Sequence, residues 1–167
     1  IVVSGGAAQV GRAYVFVRTN GSFDGQPILV LDDPEPLQLD EFGANVGQSG
    51  DGSTLMVAAA GGDSGVPRVY VFDRATGASI AMLESPDGGG DCFGQSLALS
   101  RDGGIALVSA NCAAVNGLVG AGKAYIYVRS NGNWSPAPTA TLTEPAPARD
   151  DFFGTGVALS GDGGIQE

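Results

Sequence analysis

Cys92 and Cys112 are the only cysteines in the chain and its best candidates for covalent chemistry. Between them lies Asp102-Gly103, a hairpin-turn signal, because Gly tolerates positive φ and Asp nearly does. A hairpin folded there sets residue 92 opposite residue 112 at its open end. The two thiols are therefore expected within disulfide reach, the other reading being a pair of free buried thiols. A disulfide implies an oxidising compartment. Two asparagines head N-glycosylation sequons: Asn20 in Asn20-Gly21-Ser22 and Asn133 in Asn133-Trp134-Ser135. Both fall in loops between predicted strands, the exposed position an acceptor requires, so Asn20 and Asn133 are expected glycosylation sites. The stretch 135–147, rich in Ser, Thr, Pro and Ala, reads as a plain Pro-stiffened edge strand, the other reading being an O-glycosylated stretch.

Other chemistry is sparse. The chain has no His, which removes the commonest general base and metal ligand. Lys123 is the only lysine. No nucleophile stands beside a base, and no carboxylate pair breaks the surrounding pattern as a glycosidase site would. The run Asp87-Gly88-Gly89-Gly90 lacks the Lys-Ser/Thr of a phosphate loop and reads as a flexible connection. A net charge of −10 argues against nucleic acid and against an anionic membrane surface. No apolar run approaches the ~20 residues of a membrane helix, so membrane insertion is not expected. An apolar fraction of 43% is that of a folded protein, not a disordered tail.

The elements that would position these residues recur. Asp-x-Phe-Gly occurs at 40–43, 91–94 and 151–154, and in each case an Asp-Gly follows with its Asp 11 residues after the first. The copies are 51 and 60 residues apart, a repeat signature. In the middle copy, 96–100 alternates polar and apolar, as a half-buried strand does. After Asp102-Gly103, 105–109 returns as a more continuously apolar strand. Residues 123–129 form a third strand, aromatic and β-branched. Residues 139–143 form a fourth, flanked by prolines that suit an edge. Strands are predicted in the same order at 55–58, 68–72 and 79–83, and at 1–4, 12–17 and 27–31. Tyr14-Val15-Phe16, Tyr70-Val71-Phe72 and Tyr125-Ile126-Tyr127 align across the three. No segment has convincing helical periodicity.

Phe-Gly-x-Ser/Gly-x-Ala-Leu-Ser-x-Asp-Gly-Gly, an apolar strand, then Gly-x-Ala-Tyr-x-Tyr/Phe resembles the FG-GAP repeat, the blade of integrin-type β-propellers. The likeness is carried by Phe93-Gly94, Phe153-Gly154, Ala121-Gly122-Lys123-Ala124-Tyr125 and Gly11-Arg12-Ala13-Tyr14. It is weaker at Asn45-Val46-Gly47 and Val66-Pro67-Arg68. It implies an all-β fold of propeller blades, each a four-stranded antiparallel sheet. The three repeats would be circularly permuted or part of a larger propeller. Residues 1–39 would give strands two to four of a blade, 40–90 and 91–150 a blade each, and 151–167 the first strand and hairpin of another. Ile1 is not a natural start, and the chain reads as a processed product or fragment. Three blades leave open sheet edges, so further repeats or other copies of the chain are expected to complete them.

Calcium enters only through this resemblance, because integrin-type blades often carry Asp-x-Asp-x-Asp-Gly hairpins. Here each hairpin has one Asp (Asp51, Asp102 or Asp162), whereas the cation wants six to eight oxygens. These aspartates therefore read as turn residues and no cofactor is expected, a calcium site being the alternative reading. Asp40, Asp91 and Asp151 read as Asx turns. Phe42, Phe93 and Phe153 read as wedges between blades. Trp134 reads equally as a contact residue or a locally packed indole. The function expected is non-enzymatic: an extracellular or cell-surface structural or adhesive protein, assembling by blade packing and strand complementation into a fibre or surface layer. The alternative is a recognition propeller that binds a glycan or cell-surface protein at one face.

Overall fold

The computed structural model describes residues 2–7, 10–23, 25–61 and 65–163. The fold is all-β, without a helix among these residues. Sheet I contains β1 (Val2–Ala7), β2 (Val10–Val15) and β3 (Leu29–Asp32) in spatial order β1-β2-β3. Sheet II contains β4 (Asn45–Gln48), β5 (Thr54–Ala59), β6 (Arg68–Asp73) and β7 (Ser79–Glu84) in order β4-β5-β6-β7. Sheet III runs β8 (Phe93–Leu99), β9 (Ile105–Ala110), β10 (Lys123–Ser130), with β11 (Asn133–Trp134) and β12 (Ala140–Leu142) both on β10. All pairs are antiparallel.

The expected strand at 139–143 is thus shorter and is preceded by β11. Pro136 and Pro138, which lack an N–H, separate the two pieces along one edge of β10. A second difference concerns 151–163. These residues carry the motif that precedes β5 and β9, yet they join no strand ladder. Alternation makes a strand only when a partner edge is present, and none lies beside this segment among the described residues. Ile1 and 164–167, which include parts of two expected strands, lie outside the described residues.

The sheets lie face on face. Ala13, Val15 and Leu31 of sheet I share one core with Leu55, Val57, Ala59, Tyr70 and Phe72 of sheet II. The opposite face of sheet II, with Met56, Ala58, Val69, Val71 and Leu83, shares a second core with Leu99, Ala106, Val108, Ala110, Tyr125 and Tyr127 of sheet III. Sheet II is therefore covered on both faces. This explains why every residue of β5 is buried and why its sequence is continuously apolar rather than alternating. Neighbouring sheets approach most closely at their leading strands, β4 against β8 and β1 against β4.

Candidate functional site

The joints between sheets gather the repeated motif residues. Each Asp-x-Phe-Gly loop adopts the same backbone course. Leu39, Gly90 and Asp150 have φ of 62°, 82° and 60°. Two residues on, Glu41, Cys92 and Phe152 have φ of 54°, 60° and 52°, and the Phe-Gly glycines follow at 93°, 84° and 91°. The intervening aspartates hold this course. Asp40 Oδ1 accepts the Phe42 N–H at 3.3 Å, and Asp91 Oδ1 accepts the Phe93 N–H at 3.1 Å. Asp151 accepts the Ala148 N–H.

The loop delivers its phenylalanine into the joint. Phe42 sits 5.9 Å from Tyr70 and 6.1 Å from Phe72 in the first core. Phe93 sits 5.9 Å from Tyr125 and 6.4 Å from Tyr127 in the second. Phe153 is only half-buried, since no third sheet pair encloses it. The glycine after Phe93 faces the preceding sheet: a Cβ on Gly94 would stand 2.9 Å from Ala58 Cβ and 3.0 Å from Val69 Cγ2.

Polar groups edge the second joint. The Tyr125 hydroxyl and the Lys123 ammonium each donate to Asp87 Oδ2 at 2.6 Å. Burial raises the Asp87 carboxyl, but these two donors outweigh it and hold the group below the ordinary carboxylate range. The Tyr127 hydroxyl donates to the Glu84 carbonyl at 3.2 Å. Burial pushes both Tyr125 and Tyr127 well above the usual phenol range. Ser85 donates its hydroxyl proton to Asp91.

At the far end of the sheets the Asp-Gly turns touch. The Asp51 N–H donates to the Arg101 carbonyl at 2.8 Å, and the Arg101 N–H donates to Gly161 at 2.7 Å. Asp51 accepts from Ser49 and Ser53, and Asp102 from Ser100 and Gly104, all at 2.7 to 3.0 Å. Asp162 accepts from the Ser160 hydroxyl at 2.6 Å. Among the described residues no group of three or more His, Cys, Asp or Glu is gathered to hold a metal ion.

Cys92 and Cys112 are joined, with Sγ atoms 2.03 Å and Cα atoms 5.3 Å apart. The bond closes the hairpin of β8 and β9 at its open end, beyond the register shift between Phe93 and Leu97. It borders a cleft of about 230 Å³ lined by Asn45, Ala58, Pro67, Cys92, Phe93 and Gln95. Asn20 and Asn133 are both exposed. Their loops correspond but their positions do not. Asn20 lies at the tip of the Thr19–Ser22 turn, where Asn131 lies in sheet III, whereas Asn133 opens β11. Trp134 is half-buried against the second core, and its indole N–H meets no acceptor among the described residues.

The outward face of sheet III is incompletely covered. Leu31, Leu83 and Leu142 stand at matching positions, opposite Ala13, Val69 and Ala124. Leu31 and Leu83 are 2% and 0% exposed, but Leu142 is 39% exposed. Segment 151–163 covers part of this face through Phe152 and Phe153 N–H bonds to Gly120 and Ala121 and a Val157 N–H bond to Ser96 Oγ. On the reverse face of sheet I, Tyr14 and Phe16 are half-buried where their counterparts Tyr70 and Phe72 are buried. Among the described residues β1 pairs in its ladder with β2 alone. No family model matches the chain, and no curated protein matches it.

Proposed function

We propose that the chain is a non-enzymatic extracellular structural or adhesive repeat protein whose sheets are blades of an FG-GAP-like β-propeller, assembling head to tail with copies of itself. The observation that carries this reading is the mismatch at matching positions, Leu142 exposed where Leu31 and Leu83 are covered. The face of sheet III that holds Ala124, Ile126 and Leu142 has the character of the faces that pack inside both joints. The reverse face of sheet I, with Tyr14 and Phe16, has the character of their partners. Two unlike, mutually complementary faces give heterologous contacts, which close into rings or run on as filaments. Convergence of the sheets at their leading strands supports a radial fan. The edge of β1 that pairs with no described strand and the unladdered segment 151–163 support strand complementation between copies. The disulfide and the exposed sequons support an oxidising, extracellular setting. No described helix is long and apolar enough to cross a membrane.

Negative-stain microscopy of the purified chain tests the proposal. Rings or filaments are expected; uniform particles the size of one chain contradict it. A second reading, recognition of a glycan or protein ligand, is favoured by a cleft of about 260 Å³ lined by Phe16, Phe23, Arg18, Arg74 and Gln48. Glycan-array binding without assembly, lost in Arg74→Ala, would select it.

A further inference from the structure

Two buried carboxyl groups meet in the joint between sheets I and II. Asp33 is 8% exposed and Asp40 is 2% exposed. Both fold back on the loop that connects β3 to β4. Asp33 Oδ1 accepts the Glu35 N–H at 2.8 Å. Asp40 accepts the Phe42 N–H and, at 3.4 Å, the Leu37 N–H. The remaining oxygen, Asp33 Oδ2, is buried with no donor among the described residues, and the matching pair of the second joint, Ser85 and Asp91, is in direct contact.

The second joint shows what belongs there. Ser85 occupies the position of Asp33, and Asp91 that of Asp40. The Ser85 oxygen accepts the N–H of Asp87, two residues on, as Asp33 accepts that of Glu35. Ser85 also carries a proton, which it donates to Asp91. Asp33 has the same acceptor role and faces the same partner, but as a carboxylate it has nothing to donate. Two buried carboxylates in contact cannot both stay ionised without a large electrostatic cost.

We propose that Asp33 carries a proton and donates it to Asp40, as the Ser85 hydroxyl donates to Asp91 in the neighbouring joint, and that loss of this proton loosens sheet I from sheet II. Burial, and then the bond to Asp40, raise Asp33 to about 6, against the opposing Glu35 N–H. The Asp40 charge adds to the rise, and the Arg68 guanidinium of β6 opposes it. Arg68 is itself 3.5 Å from Glu35 and from Glu84 of β7, so its charge is divided. Tyr70 of β6, a further titratable neighbour among the described residues, is raised by burial and stays neutral in this range. The sign follows from linkage. A carboxyl raised in the folded state favours folding at pH values where it is protonated, and that advantage is lost as pH climbs from the unfolded value to the folded one. This device lies inside one chain and does not depend on the proposed assembly.

The test compares the full chain with Asp33→Ser, which rebuilds the Ser85–Asp91 arrangement. Between about pH 5 and about pH 7.5 the unfolding constant of the native chain is expected to rise roughly tenfold relative to the variant. Parallel pH profiles for the two proteins overturn the proposal. A carboxyl-carbon NMR titration of the native chain needs no variant: an Asp33 midpoint above about 5 supports a protonated Asp33, and one at the ordinary value of about 4 contradicts it. Stabilisation by calcium at neutral pH that Asp33→Ser abolishes would assign the pair to a cation and likewise overturn it.

Discussion

The Tyr125 hydroxyl donates to Asp87 at 2.6 Å across the joint of sheets II and III, whereas the matching Tyr70 hydroxyl in the first joint is buried beside the Arg68 guanidinium and donates to no acceptor among the described residues. The two tyrosines hold the same place in the repeat and the same ring packing, so the hydroxyls differ only in their partners. Tyr125→Phe is expected to cost about 1.5–3 kcal/mol, because a hydrogen bond to a charged acceptor is lost. Tyr70→Phe is expected to cost less, about zero to 1 kcal/mol, since it removes a buried donor without an acceptor and only the adjacent Arg68 guanidinium loses a neighbour. Urea unfolding of both variants checks the contrast.

The Cys92–Cys112 bond joins residues 20 apart. Chain-entropy arithmetic for a loop of that size gives about 3 kcal/mol. Paired Cys92→Ser and Cys112→Ser replacement is expected to lower stability by that order without unfolding the chain, because the β8–β9 ladder remains. Intact mass should rise by two hydrogen atoms on reduction, the reductant supplying the two electrons; an unchanged mass removes the bond and this cost together.

Leu39 holds φ of 62° while 48% exposed, at the position where the second copy has Gly90. A non-glycine residue pays about 1–2 kcal/mol in this region, part of which glycine returns through its greater chain entropy. Leu39→Gly is therefore expected to raise stability by about 0.5–1 kcal/mol. A lower unfolding midpoint would mean that the Leu39 side chain packs more than its exposure indicates.

The aspartates of the exposed turns should behave opposite to Asp33. The Ser53 N–H, then the Ser49 and Ser53 hydroxyls, hold Asp51 below the usual carboxylate range. The Ser100 hydroxyl and Gly104 N–H do the same for Asp102. A carboxyl depressed in the folded state adds stability above its unfolded value and loses it as pH falls through the folded one. Carboxyl-carbon NMR should find both midpoints below about 3.9, and Asp102→Ala should flatten the acid limb of the stability profile. Midpoints at the ordinary value would mean that the serine bonds do not persist in solution.

Strand positions were legible because alternation and β-branched triplets set them locally, as in 68–72 and 123–129. The disulfide geometry was legible because a two-residue turn signal fixes a register. Three features were not. The split of the last strand of sheet III depends on where Pro136 and Pro138 fall against β10. The left-handed residues 39, 41, 150 and 152 are Leu, Glu, Asp and Phe, and only Gly90 in the second copy signals that course. The meeting of Asp33 and Asp40 depends on how the loop between β3 and β4 turns back, which no periodicity records.

The most direct test of the account is sedimentation equilibrium of the chain and of Leu142→Asp across a concentration series. The account predicts a mass above that of a single 167-residue chain, rising with concentration, and reduced to the single-chain value by Leu142→Asp. A native chain that stays at the single-chain mass throughout would contradict it.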